Sequence, residues 1–180
     1  MKVYLAGPDV FYHEAKRSLV VDNLKYTCGL YGLEGVFPLD NELAFAGEVT
    51  KREQALRIKQ ENLDLIRMCD GVLANYTPFR GVSMDAGTAY EVGFAEALGK
   101  HVIGYIDDED LYNLSYLDRV LESEYASNFD DCRYIEDMAG ITIENFDLID
   151  NLMLTADIKV YPCIDTACQN LRELLDEKNI

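Results

Sequence analysis

Asp85 and Glu91 stand close together in the stretch Phe79-Arg80-Gly81-Val82-Ser83-Met84-Asp85-Ala86-Gly87-Thr88-Ala89-Tyr90-Glu91-Val92-Gly93-Phe94-Ala95. A carboxylate that attacks a sugar carbon must be ionised. An acid at a helix N-terminus is held in that state because the helix dipole favours its charge. A second carboxyl nearby is then free to hold or deliver a proton at the leaving group. Two such groups roughly 5 Å apart are the arrangement of retaining glycosyl transfer through a covalent intermediate. The same letters have a plainer reading, since Thr88-Ala89-Tyr90-Glu91 also fits a capping box in which Thr88 and Glu91 satisfy free amides. From these letters alone both readings stand.

The elements that would place these acids follow from the flanking pattern. Gly71-Val72-Leu73-Ala74-Asn75-Tyr76 is an apolar run of strand length, and a loop and a helix opening at Thr88 come after it. Small residues at Ala89, Gly93, Ala95 and Ala97 let that helix lie close to a sheet. Strand, loop and helix form the unit whose carboxyl edge carries ligands in open parallel sheets. Four further strands are predicted at Lys2 to Ala6, Leu33 to Phe37, His101 to Ile106 and Val160-Tyr161. Helices between strands imply right-handed crossovers and helices on both sheet faces.

Gly7-Pro8 ends the first strand in a turn that lacks the spacing of a phosphate loop, so it is read as bare backbone against which a ligand sits. Tyr4 is either a core tyrosine or a hydroxyl offered to an active-site acid. The following helix is expected to bury Ala15, Leu19, Val20 and Leu24. Pro38-Leu39-Asp40-Asn41-Glu42 is a polar loop in which Asp40 and Asn41 are turn formers. A helix from Thr50 to Met68 lines up Ala55, Ile58, Asn62, Leu65 and Ile66, and a buried amide such as Asn62 must find a partner or a ligand. Leu111, Leu114, Leu117, Val120 and Leu121 predict an amphipathic helix, residues 127–140 are indistinct, residues 145–154 read as helix, and Thr166 to Leu175 closes the chain. The reading is one domain over 1–180 with a variable acidic insertion at about 107–146.

With 180 residues, 49% of them hydrophobic, the chain has enough material for one globular core. Its net charge of -17 repels nucleic-acid backbones and anionic membranes, so neither is expected as a partner. Between His101 and Asp150 the bases are Arg119 and Arg133, and this acidic run is read as a solvated face. Five cysteines without a CxxC pair point to reduced thiols. His13 and His101 show no clustered acid spacing, so no metal site is expected. The start Met1-Lys2-Val3-Tyr4-Leu5 runs into a strand and not a signal peptide, and no apolar run is of membrane-spanning length, which leads to an expectation of a cytoplasmic protein.

Four landmarks in order, Tyr4-Leu5-Ala6-Gly7-Pro8, Pro38-Leu39-Asp40-Asn41, Pro78-Phe79-Arg80-Gly81 with Asp85 to Gly93, and Asn151-Leu152-Met153-Leu154, make the chain resemble the nucleoside 2-deoxyribosyltransferase family over most of its length. The resemblance implies a flavodoxin-like (Rossmann-like) three-layer sandwich and a homo-oligomer, dimer or larger. It also implies transfer of 2-deoxyribose between purine or pyrimidine bases with no metal or cofactor. Glu91 then matches the family nucleophile, Asp85 the acid that handles the base, and Tyr4 the tyrosine that hydrogen-bonds the nucleophile. Asn151 matches an asparagine donated to the neighbouring subunit's site, with Met153 beside it. Gly7 and Phe11 fall in the base-binding region, and Asn62 stands where some members carry aspartate. Two rivals are a hydrolase that passes the sugar to water from the same glutamate, and a non-catalytic nucleotide-sensing module. Asp9, in place of a serine or arginine, disfavours a phosphate-reading hydrolase, and two unpaired acids have little use in a pure binder.

Overall fold

The computed structural model describes residues 1–38, 40, 49–123 and 140–177. Five strands, β1 (Lys2–Ala6), β2 (Glu34–Val36), β3 (Gly71–Asn75), β4 (His101–Tyr105) and β5 (Val160–Tyr161), form one all-parallel sheet in the order β2-β1-β3-β4-β5. The chain runs outward from β1 to β2 and then returns past β1 to β3. That reversal opens a crevice at the carboxyl ends of β1 and β3, where doubly wound sheets bind ligands.

Side-chain alternation along β1 builds both cores at once. Val3 and Leu5 join Leu73, Ile103 and Tyr105 on the face covered by α1 (Glu14–Leu30) and α7 (Ile164–Glu177). Tyr4 and Ala6 join Val72, Ala74 and Val102 on the face covered by α2 (Lys51–Met68) and α3 (Ala86–Ala97). All five residues of β3 are buried, as the apolar run requires of a central strand covered on both sides. The fold is the expected flavodoxin-like three-layer sandwich.

Several helical expectations need correction. In α1 the buried stripe is Val21, Leu24, Thr27 and Cys28, whereas Ala15 and Leu19 face outward, because only the C-terminal half of this helix rests on the sheet. The same holds for α2. Its N-terminus is closed by a capping box between Thr50 and Glu53, but Ala55 and Ile58 are exposed and burial begins at Leu63, Leu65 and Ile66. The amphipathic run after β4 is two short helices, α4 (Glu109–Tyr112) and α5 (Tyr116–Glu122), because Asp108 and Ser115 each cap a new start. Residues 145–154 are not one helix: Asp147 takes a left-handed φ of 54°, and only α6 (Leu152–Thr155) is helical. Arg119 is not on a solvated face but 5% exposed.

The four described cysteines carry free thiols, and the sulfurs of Cys28 and Cys168 approach to 3.7 Å where α1 packs on α7. Cys69 is core, but Cys163 is half-exposed beside the Thr166 hydroxyl. Cys132, Arg133, Leu39, Asn41 and most of the indistinct stretch at 127–140 lie outside the described residues. No described helix is long and apolar enough to cross a membrane.

Candidate active site

Three elements meet at the carboxylate of Glu91. The alternation that turns Tyr4 toward α2 and α3 buries its ring completely and aims its hydroxyl at α3. That hydroxyl donates to Glu91 Oε1 at 2.7 Å. From α2, Asn62 Nδ2 donates to the same oxygen at 3.3 Å. The two readings of Tyr4 therefore coincide, and Asn62, half-buried instead of buried, has found a partner in Glu91. With both bonds on Oε1, Oε2 lies outside the pair.

The expected capping box is absent, and the reason changes the electrostatics of Glu91. Helix α3 begins at Ala86, not Thr88, and its N-cap is Asp85. Asp85 Oδ2 accepts from the Thr88 amide at 2.9 Å and from the Thr88 hydroxyl at 3.2 Å. Aspartate caps a helix better than threonine, so the start moves upstream. Glu91 is then beyond the free amides of the first turn, where the dipole acts. Its carboxyl is not held low. Burial pushes it up to about 7; the Tyr4 bond pulls it down, the charge of Asp85 pushes it further up, and the Asn62 bond pulls it down again. Burial, with the charge of Glu91, also drives the Tyr4 hydroxyl far above the ordinary tyrosine range. Tyr4 thus stays protonated and acts only as a donor.

Gly7 is hemmed in by the protein's own side chains on the side a Cβ would occupy. Its φ of 171° is ordinary extended backbone, and the reason for glycine is room. A Cβ there would lie 2.7 Å from Asp9 Oδ2 and 2.9 Å from Asn75 Cβ. The gap is filled by the protein's own contact, Asn75 Nδ2 donating to Asp9 Oδ2 at 3.3 Å. Burial raises the Asp9 carboxyl, and the Asn75 bond partly offsets that rise. Asn75 could have been singled out as the last residue of an apolar strand ending at the carboxyl edge.

Phe11 is 56% exposed and stacks on Phe79, with ring centroids 5.2 Å apart and planes 14° from parallel. The guanidinium of Arg80 lies 5.3 Å from the Phe11 centroid and 4.7 Å from that of Phe79. Arg80 takes a left-handed φ of 55°, which turns the chain from Phe79 toward Gly81 and the loop leading to Asp85. Phe79 and Arg80 belong to the motif-bearing stretch, yet their spacing alone assigned them no task. Asp40 is the expected turn former, accepting from the Phe37 amide at 2.8 Å.

Asn151 is not joined to Glu91 by any hydrogen bond within the described chain. It caps α6, with Oδ1 accepting from the Met153 amide at 3.0 Å and Nδ2 donating to Glu144 at 2.7 Å. Met153 is 77% exposed. The structure therefore brings Tyr4, Asn62, Asp85 and Glu91 together, places Gly7 and Phe11 along the same sheet edge, and leaves Asn151 and Met153 on an outward-facing turn.

The sequence pattern of nucleoside 2-deoxyribosyltransferases matches residues 3–153. The chain belongs to the nucleoside 2-deoxyribosyltransferase family. The family resemblance is also carried by a solved structure described as a 2-desoxiribosyltransferase from Leishmania mexicana, which is 30% identical, has a TM-score of 0.69, and aligns over 96% of this chain and 97% of its own. An uncharacterised protein of Schizosaccharomyces pombe, C191.05c, is 36% identical over 111 residues, which are 61% of this chain and 52% of that protein. The match thus spans about half the length of that curated relative. A conserved protein from Enterococcus faecalis V583, 16% identical over 99% of this chain and 98% of its own with a TM-score of 0.51, shares the fold.

Proposed function

We propose that this member of the family moves a 2-deoxyribosyl group from one nucleobase to another, with retention, through a glycosyl-enzyme on Glu91. The observation that carries the reading is the pair of donors, Tyr4 and Asn62, on a single oxygen of a half-buried carboxylate whose neighbour is Asp85. Two bonds on Oε1 fix the carboxylate plane and leave Oε2 as the attacking atom. Oε2 bonds to the anomeric carbon while the bond to the base breaks, and Asp85 assists departure by hydrogen bonding or proton transfer at the leaving nitrogen. A second base then attacks the same carbon from the face the first one left, and Glu91 departs as carboxylate. Tyr4 and Asn62 hold the carboxylate for both steps.

The substrates in this reading are a deoxynucleoside and a free base. The exposed Phe11 and Phe79 rings offer a flat apolar surface for a base, and the subunits assemble so that Asn151 reaches the neighbouring site. The test is incubation with a 2-fluorinated deoxynucleoside analogue, followed by peptide mass spectrometry. A sugar adduct on Glu91 that is discharged by added free base supports transfer. An adduct discharged equally fast without a base supports a hydrolase, and no adduct on Glu91 refutes the assignment.

A further inference from the structure

Arg119 and Asp150 form a buried ion pair that the reaction above does not use. They are 5% and 2% exposed, and Arg119 Nη2 lies 3.9 Å from Asp150 Oδ2. At that distance the charges compensate, but the hydrogen bonds go elsewhere. Arg119 donates Nε to the Val82 carbonyl at 2.8 Å, Nη1 to the Leu114 carbonyl at 3.0 Å, and Nη2 to the Ile149 carbonyl. Asp150 accepts from the Ser83 hydroxyl at 2.5 Å, the Met84 amide at 2.9 Å and the Asn151 amide at 2.7 Å. The Thr155 hydroxyl adds a bond to the Asp150 carbonyl at 2.9 Å, tying in α6.

Apart from the Leu114 carbonyl and the Thr155 hydroxyl, these partners fall on two segments. Val82, Ser83 and Met84 are the last residues before the N-cap Asp85, and Ile149, Asp150 and Asn151 lead into the turn that carries Asn151. A buried ion pair is weak support for stability, because well-packed apolar residues commonly do as well. What it provides here is geometry, since a planar guanidinium with its fork of donors fixes three carbonyls at set angles.

We infer that Arg119, Asp150 and Ser83 are positioning residues forming one clamp, which sets Asp85 in a subunit's own site and Asn151 in its neighbour's, and so couples the two sites. The inference rests on the proposed function for the statement that Asn151 is donated across the interface. Loosening the clamp disturbs two active centres through one chain, whereas the Thr155 hydroxyl, which donates to the Asp150 and Asn151 carbonyls, touches only the Asn151 side.

Hetero-oligomers purified through a different affinity tag on each kind of subunit, so that homo-oligomers are removed, test this, with Glu91→Ala marking the subunit whose own site is silent. In one mixture, Arg119→Lys subunits are combined with Glu91→Ala subunits, so the working site has a disturbed loop and an intact donated arm. In the other, wild-type subunits are combined with subunits carrying both Arg119→Lys and Glu91→Ala, so only the arm is disturbed. Relative to a wild-type and Glu91→Ala mixture, kcat for base exchange falls about tenfold in both. Thr155→Val in place of Arg119→Lys lowers it in the second mixture alone. A general loss of stability cannot produce that split, and melting of each variant is recorded alongside. Retention of the reference kcat in either Arg119→Lys mixture overturns the clamp. If Asn151→Ala and Glu91→Ala subunits fail to restore each other while the wild type exchanges bases, the shared site is wrong and the coupling falls with it.

Discussion

Glu91→Gln separates what Glu91 does for the fold from what it does for the reaction. The substitution keeps an oxygen for Tyr4 and Asn62 and removes the charge. The carboxyl is lifted from 4.5 to about 7, chiefly by burial. At roughly 1.4 kcal/mol for each tenfold, ionised Glu91 costs the fold about 3 kcal/mol above pH 7. Below pH 4.5 the folded and unfolded chains both hold the proton. Between 4.5 and about 7 only the folded chain does, so stability falls as pH rises through that interval. Glu91→Gln is therefore expected to be more stable than wild type at pH 8, by about 6–12 °C in Tm for about 3 kcal/mol in a domain of this size. The gap narrows as the pH is lowered toward 5. In the same preparation base exchange falls by several orders of magnitude, as loss of a nucleophile requires. Thermal melts at pH 5, 6, 7 and 8, with an exchange assay at pH 8, decide the matter. A Gln variant that melts at or below wild type at pH 8, or a gap that does not depend on pH, would refute the claim that Glu91 is ionised against its surroundings.

Because the attacking carboxylate must be ionised, wild-type kcat/KM is expected to rise about tenfold per pH unit below about 7 and level off above it. Tyr4→Phe removes a bond that lowers the Glu91 value, so the acid limb moves to higher pH; a move to lower pH would count against the Tyr4 assignment. Gly7→Ala puts a Cβ 2.7 Å from Asp9 Oδ2 and 2.9 Å from Asn75 Cβ, and is expected to cost about 1–3 kcal/mol in urea unfolding by overpacking. Mixing Asn151→Ala with Glu91→Ala subunits restores part of the exchange activity that each lacks alone, and no recovery argues against donation of Asn151. Arg80→Ala leaves the Phe11 and Phe79 stack without its cation and is expected to raise the KM for the acceptor base by about two- to fivefold, read in initial-rate kinetics with kcat as the control.

The strands were legible because β1, β3 and β4 are apolar runs bounded by Gly, Pro or polar residues, a pattern that a sheet covered on both faces imposes. Helix boundaries depended on a contest that spacing does not resolve. Asp85 and Thr88 are both good caps, and the winner displaced Glu91 from the first turn. Burial along α1 and α2 was misjudged because periodicity shows which side of a helix is apolar, not how far along its length the sheet extends. Pairing of Tyr4 with Glu91 across 87 positions and of Asn62 with Glu91 across 29 is a tertiary fact, reached for Tyr4 through the family resemblance and for Asn62 only as the demand of a buried amide. Arg119 looked like a solvated base in an acidic run because composition cannot show that its charge is matched by Asp150.

The bond between Tyr4 and Glu91 also furnishes a built-in optical reporter. The chain has no tryptophan to mask the near-ultraviolet absorption of its 12 tyrosines, and Tyr4 is shielded from water with its hydroxyl on Oε1 of the carboxylate whose other oxygen would carry the sugar. Esterification would turn a charged acceptor into a neutral one. The phenol band should then shift in step with loading and unloading of the enzyme, letting each half-reaction be timed by stopped-flow absorbance without a label.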